Sequence, residues 1–121
     1  MCTVVAYSSA PESDAAIRFA AERVRRSGSV LRVVGRQPEA PAELRQLLAG
    51  IAWEWEQCGP EDDLAARLVR AATPPEHEIW ADPAIVIGLR RRPAEGRLTL
   101  GQTAERVLLD ATCPVVTVKC S

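Results

Sequence analysis

Residues 84–103 read AIVIGLRRRPAEGRLTLGQT. The opening AIVIG is a short apolar run with no polar alternation, as expected of a strand buried on both faces of a parallel sheet. From Gly101 the chain turns into GQTAERVLLDAT, whose Ala104, Val107, Leu108 and Ala111 share one helical face. Between them, Gly88, Gly96 and Gly101 open, relax and close a loop. Backbone without side chains lets several amides converge on an anion at a helix start. Three arginines and a proline nevertheless fill the middle of this loop, so it reads either as a phosphate cradle or as one that has been overwritten.

The same strand-then-helix unit recurs on the N-terminal side. TVVAY (3–7) is β-rich, and SSAPESDAA leads into IRFAAERVRR, where Ile17, Ala20, Ala21 and Val24 recur at helical spacing until Ser27 and Gly28 end the helix. LRVVG (31–35) makes a second strand, and PEAPAELRQLLAG a short helix with Leu44, Leu47 and Leu48 on one face. EDDLAARLVRAA is an acid-started helix with Leu64, Leu68 and Ala71 or Ala72 inward, followed by a proline-bounded connector, PPEHEIWADP. After the final helix, Pro114 separates VVTVK as the last strand. The order β-α-β-α-β-α-β-α-β predicts one α/β domain over 1–121, a doubly wound five-stranded parallel sheet with right-handed crossovers and helices on both faces.

One strand has a different character. In IAWEWEQ, Ile51, Trp53 and Trp55 alternate with Ala52, Glu54 and Glu56, giving one apolar and one wet face. Central parallel strands are apolar on both faces, so this strand belongs at a sheet edge, with its tryptophans over the core or a flanking helix.

Composition narrows the setting. The chain has 121 residues, enough for one self-sufficient core, and a formal net charge of -1. That charge offers no general field for nucleic acid, and Lys119 is the one lysine. No apolar run approaches the roughly 20 residues of a bilayer span, and MCTVVAYSS lacks the basic start of a signal peptide, so a cytoplasmic protein away from membranes is expected. Cys2, Cys58, Cys113 and Cys120 form no C-x-x-C pair, and His77 has no second ligand at metal spacing. All four cysteines are expected as thiols, Cys113 packed and Cys120 exposed near the terminus.

The span from AIVIG through GRLTLGQTAERVLLDATCPVVTVK resembles the C-terminal half of the universal stress protein (UspA-like) family. Nucleotide-binding members share a glycine, two residues, a second glycine, nine residues, then glycine and a serine or threonine. Gly88 and Gly101 stand thirteen positions apart, as that pattern requires. TVVAYSSAPESDAAIRFA resembles the family's first strand and helix more loosely. The resemblance implies the strand order 3-2-1-4-5, with a cleft between strands one and four where such sheets bind ligands. It implies a site drawn from Ser8, Gly88, Arg91, Gly101, Gln102 and Thr103.

The departures from that pattern fall on the ligand side. Arg91 stands in place of the second glycine, Gln102 in place of the hydroxyl residue, and Ser8 in place of the aspartate that usually ends the first strand. Arg91 disfavours a positive φ and its side chain fills phosphate space. In one reading Arg90, Arg91, Arg92 and Arg97 replace the lost contacts to an anion held by the amides of Gly101, Gln102 and Thr103. In the other, RRRPAEGR is a solvated loop stiffened by Pro93 and partly neutralised by Glu95. The reading adopted is the second: a dimeric binding or regulatory module in stress response with a degenerate nucleotide cleft, ATP being possible but not favoured as its cofactor. The alternative is a true ATP binder in which the loop arginines compensate, with slow hydrolysis.

Catalysis has little support in the sequence. YSSAPES offers hydroxyls without a histidine partner, and Ser8 and Ser9 suit hydrogen bonds to a ligand or a turn. The acidic cluster of phosphoacceptor domains is missing at Tyr7 to Ser9 and after Val34, and SSAPESD has no glycine for a pyrophosphatase-type loop. Asp62 and Asp63 are explained by the helix they open. The last strand, apolar until Lys119, forms the edge opposite IAWEWEQ and is the expected homodimer seam, which a proline at Val116 is expected to cut.

Overall fold

A computed structural model describes residues 2–80, 82–92, 97–98 and 101–120, with the backbone alone for 91, 92, 97 and 98. The chain order is β1 (Cys2–Ala6), α1 (Pro11–Ser27), β2 (Val30–Gly35), α2 (Ala42–Leu47), β3 (Trp53–Gln57), α3 (Leu64–Ala71), β4 (Ala84–Arg92), β5 (Arg97–Leu98), α4 (Gln102–Asp110) and β6 (Val115–Cys120). Five parallel strands lie in the order β3-β2-β1-β4-β6, which is the expected 3-2-1-4-5. Among the described residues no helix is long and apolar enough to cross a membrane.

The sheet is covered on both faces because its central strands alternate between two cores. Val4, Val34, Ile85 and Ile87 pack with Leu68 of α3 and Val107 of α4. Val5, Leu31, Val33 and Val86 pack with Ile17, Ala20 and Val24 of α1 and Leu44 and Leu48 around α2. Neighbouring residues thus serve opposite faces, the two-residue period of a strand.

The wet face of β3 has a specific partner. Arg32 of β2 stands opposite Glu54 and donates to it at 2.6 Å, and to Glu56 at 3.2 Å. On the other face Trp53 and Trp55 pack against the α1 core. Gly35 is small because the Trp55 ring lies where its side chain would be, and Trp55 Nε1 donates to the Gln37 carbonyl at 3.0 Å.

Several expectations are corrected. Helix α1 starts at Pro11, within the segment read as a lead-in, because proline at the first helical position forfeits no hydrogen bond and Glu12 and Asp14 suit the helix dipole. Leu108 does not face inward: it is 42% exposed, since Ala104 and Val107 take the contacts with the sheet. Gly88 does not open a loop, because β4 runs through it to Arg92 and pairs antiparallel with β5 through Arg91 opposite Leu98. Arg91 is therefore extended strand. Cys120 is half-buried, as is Cys113, while Cys2 and Cys58 are buried.

Candidate functional site

Strands β1 and β4 are neighbours, yet α1 leaves the C-terminal end of β1 toward one face and α4 follows β4 toward the other. The divergence opens a cleft of about 420 Å³ at the strand ends. Its floor is Ala6 and Ile87, its wall Leu64 and Leu68 of α3, and its rim Ser8, Arg90 and Thr103.

The β1 side is held by a serine that sequence reasoning missed. Ser13, buried in the first turn of α1, donates from Oγ to the Ala6 carbonyl at 3.1 Å and accepts from the Ser8 amide at 2.8 Å. One hydroxyl thereby ties the strand end to the helix start. The Ser8 hydroxyl accepts from the Ala10 amide at 3.3 Å, so Ser8 forms the turn while also lining the cleft. Tyr7 stands edge-on against Trp55, ring centroids 5.8 Å apart.

The two frame glycines have different causes. A side chain on Gly88 would collide with the backbone carbonyl of Glu12, so this glycine lets α1 lie directly on β4. A side chain on Gly101 would meet nothing within 4 Å among the described residues, and its φ of -70° is open to any residue. Nothing among the described residues requires a glycine at 101. Among the described residues the start of α4 has no side-chain cap, and the first intrahelical bond is from the Glu105 amide to the Gly101 carbonyl at 3.0 Å. The amides of Gln102, Thr103 and Ala104 precede that bond and point out of the helix toward any acceptor.

Of the residues expected at the site, Ser8, Gly88, Gly101 and Thr103 are brought together around the cleft, as is Arg90 of the loop arginines. Gln102 is exposed at the helix start and is not among the lining residues. The side chains of Arg91, Arg92 and Arg97, with Pro93, Glu95 and Gly96, lie outside the described residues. Glu12 is a lining residue that the sequence did not single out. It and Arg90 are the two charged groups on the described wall.

A cleft at the switch point of a doubly wound sheet, with a helix start at its edge, is the place where α/β domains of this layout bind ligands. Residues 80–119 match the family model described as the Universal stress protein family. The whole chain is similar to the structure of the universal stress protein from Archaeoglobus fulgidus, at 28% identity over 98% of each chain and a TM-score of 0.75. It is similar to that organism's universal stress protein in complex with dAMP, at 25% identity over 98% of each chain and a TM-score of 0.68. A universal stress protein in complex with cAMP is 20% identical over 99% of this chain and 97% of the other, with a TM-score of 0.65, which supports the fold alone. Curated protein sequences give no match. Residues 80–119 thus carry the sequence pattern of that family, and the chain as a whole shares the fold of the universal stress proteins to which it is similar.

Proposed function

We propose that the protein is a cytoplasmic, non-enzymatic binding module of a stress response, a homodimer whose cleft takes a nucleotide with a single phosphate and holds ATP poorly. The observation that carries this reading is the open 420 Å³ cleft at the start of α4, whose first amides have no hydrogen-bond partner among the described residues. Those amides favour an anion. The archaeal relative in complex with dAMP supports a monophosphate as that anion. Against a triphosphate stand the departures at Ser8, Arg91 and Gln102. Within the segment that would have to wrap the outer phosphates, Arg91 and Arg92 are extended strand paired with Leu98 and Arg97.

Calorimetric titration of adenosine monophosphate and ATP into the native protein tests the reading. Adenosine monophosphate is expected to bind, and ATP more weakly than ~100 μM, because each lost charge-assisted contact costs about 1.5–3 kcal/mol. Restoring the family pattern with Arg91→Gly, Gln102→Ser and Ser8→Asp together is expected to tighten ATP at least about tenfold. Arg90 on the cleft wall favours a second reading in which arginines replace the lost contacts. Under it, wild-type ATP binding is tight, falls with salt and is weakened by Arg91→Gly, the opposite sign.

A further inference from the structure

Two helices supply walls of the cleft: α3 through Leu64 and Leu68, α4 through Thr103 and Ala104. Asp63, one residue before Leu64, caps α3, its Oδ1 accepting from the Ala65 and Ala66 amides at 3.0 and 3.4 Å. Its Oδ2 accepts from Arg106, three residues after Thr103, at 2.5 Å. One carboxylate thus holds two helix starts together. The α3 dipole alone would favour an acid at this position, so the bond to α4 is an addition to the cap. Because the cap already fixes the carboxylate, ordering the pair costs less side-chain entropy than joining two free side chains. Arg106 has another carboxylate near it, Asp110 of its own helix, but at 3.9 Å. The contact between helices is the closer one.

We propose that Asp63 and Arg106 are positioning residues for the nucleotide: their bond sets the gap between the α3 wall and the α4 amides, so that one ligand can rest its nucleoside on Leu64 and Leu68 while its phosphate meets the amides. The proposal rests on the nucleotide reading above. Neither Asp63 nor Arg106 is among the residues lining the cleft, and neither has to touch the ligand. A ligand held at two points gains from walls fixed in advance, since they need no ordering when it binds. An anion held at the amides alone gains nothing from the second wall. The pair therefore favours a nucleoside monophosphate over free phosphate.

The test is a double-mutant cycle of Asp63→Ser and Arg106→Met, read by titration of adenosine monophosphate and inorganic phosphate and by urea denaturation. Serine keeps a capping oxygen but is too short to hold Arg106, and methionine keeps helix propensity without the charge. Each single variant is expected to weaken adenosine monophosphate about two- to fivefold, the range of an exposed ion pair, and the double variant no more than either single one. Inorganic phosphate should bind all four proteins alike. A pair that serves stability alone would lower the urea midpoint and leave the ratio of the two affinities unchanged, and that result overturns the proposal. So do losses that add in the double variant, because the two residues then act separately. Wild type that binds adenosine monophosphate but no inorganic phosphate at any attainable concentration overturns the division of the ligand between two walls. A folded wild type that binds no adenosine monophosphate overturns the nucleotide reading and this proposal together.

Discussion

The backbone carbonyl of Glu12 occupies the place that a side chain on Gly88 would take. Helix α1 and strand β4 meet there without a spacer, which fixes the β1 side of the cleft against its floor. Gly88→Ala is therefore expected to destabilise the domain by about 1–3 kcal/mol, as for other overpacked sites. Gly101→Ala has open space and an ordinary φ, so it should cost about 1 kcal/mol or less. Urea denaturation of the two variants separates these cases. Similar losses for both would show that the Glu12 contact relaxes easily.

The same contact marks the boundary of what was legible in the sequence. Strand and helix order followed from periodicity, and the glutamates of WEWEQ placed β3 at the edge because a buried parallel strand cannot carry them. Gly88 was legible as special but not for the right reason. A close approach between elements seventy-six positions apart leaves no local trace, whereas a glycine beside a loop suggests a turn. Glu12 and Ser13 were hidden similarly, since in APESD they look like ordinary first-turn residues. The β4-β5 pairing was missed because RRR carries no apolar alternation. Leu108 was misplaced because helical spacing gives a face but not its width.

Asp63 joins two helices and should give stability a pH dependence of known sign. Its Oδ1 accepts from the amides of Ala65 at 3.0 Å and Ala66 at 3.4 Å, capping α3, and its Oδ2 accepts from Arg106 of α4 at 2.5 Å. The Ala66 amide first, then the Arg106 charge, hold its carboxyl below the usual aspartate value. A carboxyl depressed in the folded state contributes stability above its unfolded pKa and loses it as pH falls through the folded one. Asp63→Ala should thus melt lower than wild type at pH 7, with the difference shrinking under acid below the usual aspartate range. A difference that stays constant into that range would remove the charge from the account.

The cysteines divide by position in the sheet. Cys2 and Cys58 are 7% and 0% exposed, and Cys113 and Cys120 are half-buried. Burial pushes the thiols of Cys2 and Cys113 up. Because the thiolate is the reactive form, Cys113 labelling should keep accelerating above the pH at which an ordinary thiol has levelled off. Mass spectrometry of timed alkylation should find Cys113 and Cys120 modified in the native protein, and Cys2 and Cys58 only after unfolding. Early modification of Cys58 would mean that the α3 side of the core opens readily.

The register of β6 decides which substitution probes the dimer. Ile85 stands beside Val115, and its amide donates to the Pro114 carbonyl at 3.1 Å. In a parallel ladder the Ile85 carbonyl then accepts from the Val116 amide, so Val116 and Val118 face β4 while Val115, Thr117 and Lys119 turn their amides outward. Val116→Pro, expected from sequence to cut a homodimer, would instead break the sheet of each protomer and cost about 1–3 kcal/mol for the orphaned carbonyl. Thr117→Pro removes an outward donor at a tolerated edge position. If two copies pair through β6, Thr117→Pro should sediment as a folded monomer with nearly wild-type stability, and Val116→Pro should unfold earlier in urea. Wild type that is already monomeric at high micromolar concentration, or Thr117→Pro that remains dimeric, would rule out β6 pairing.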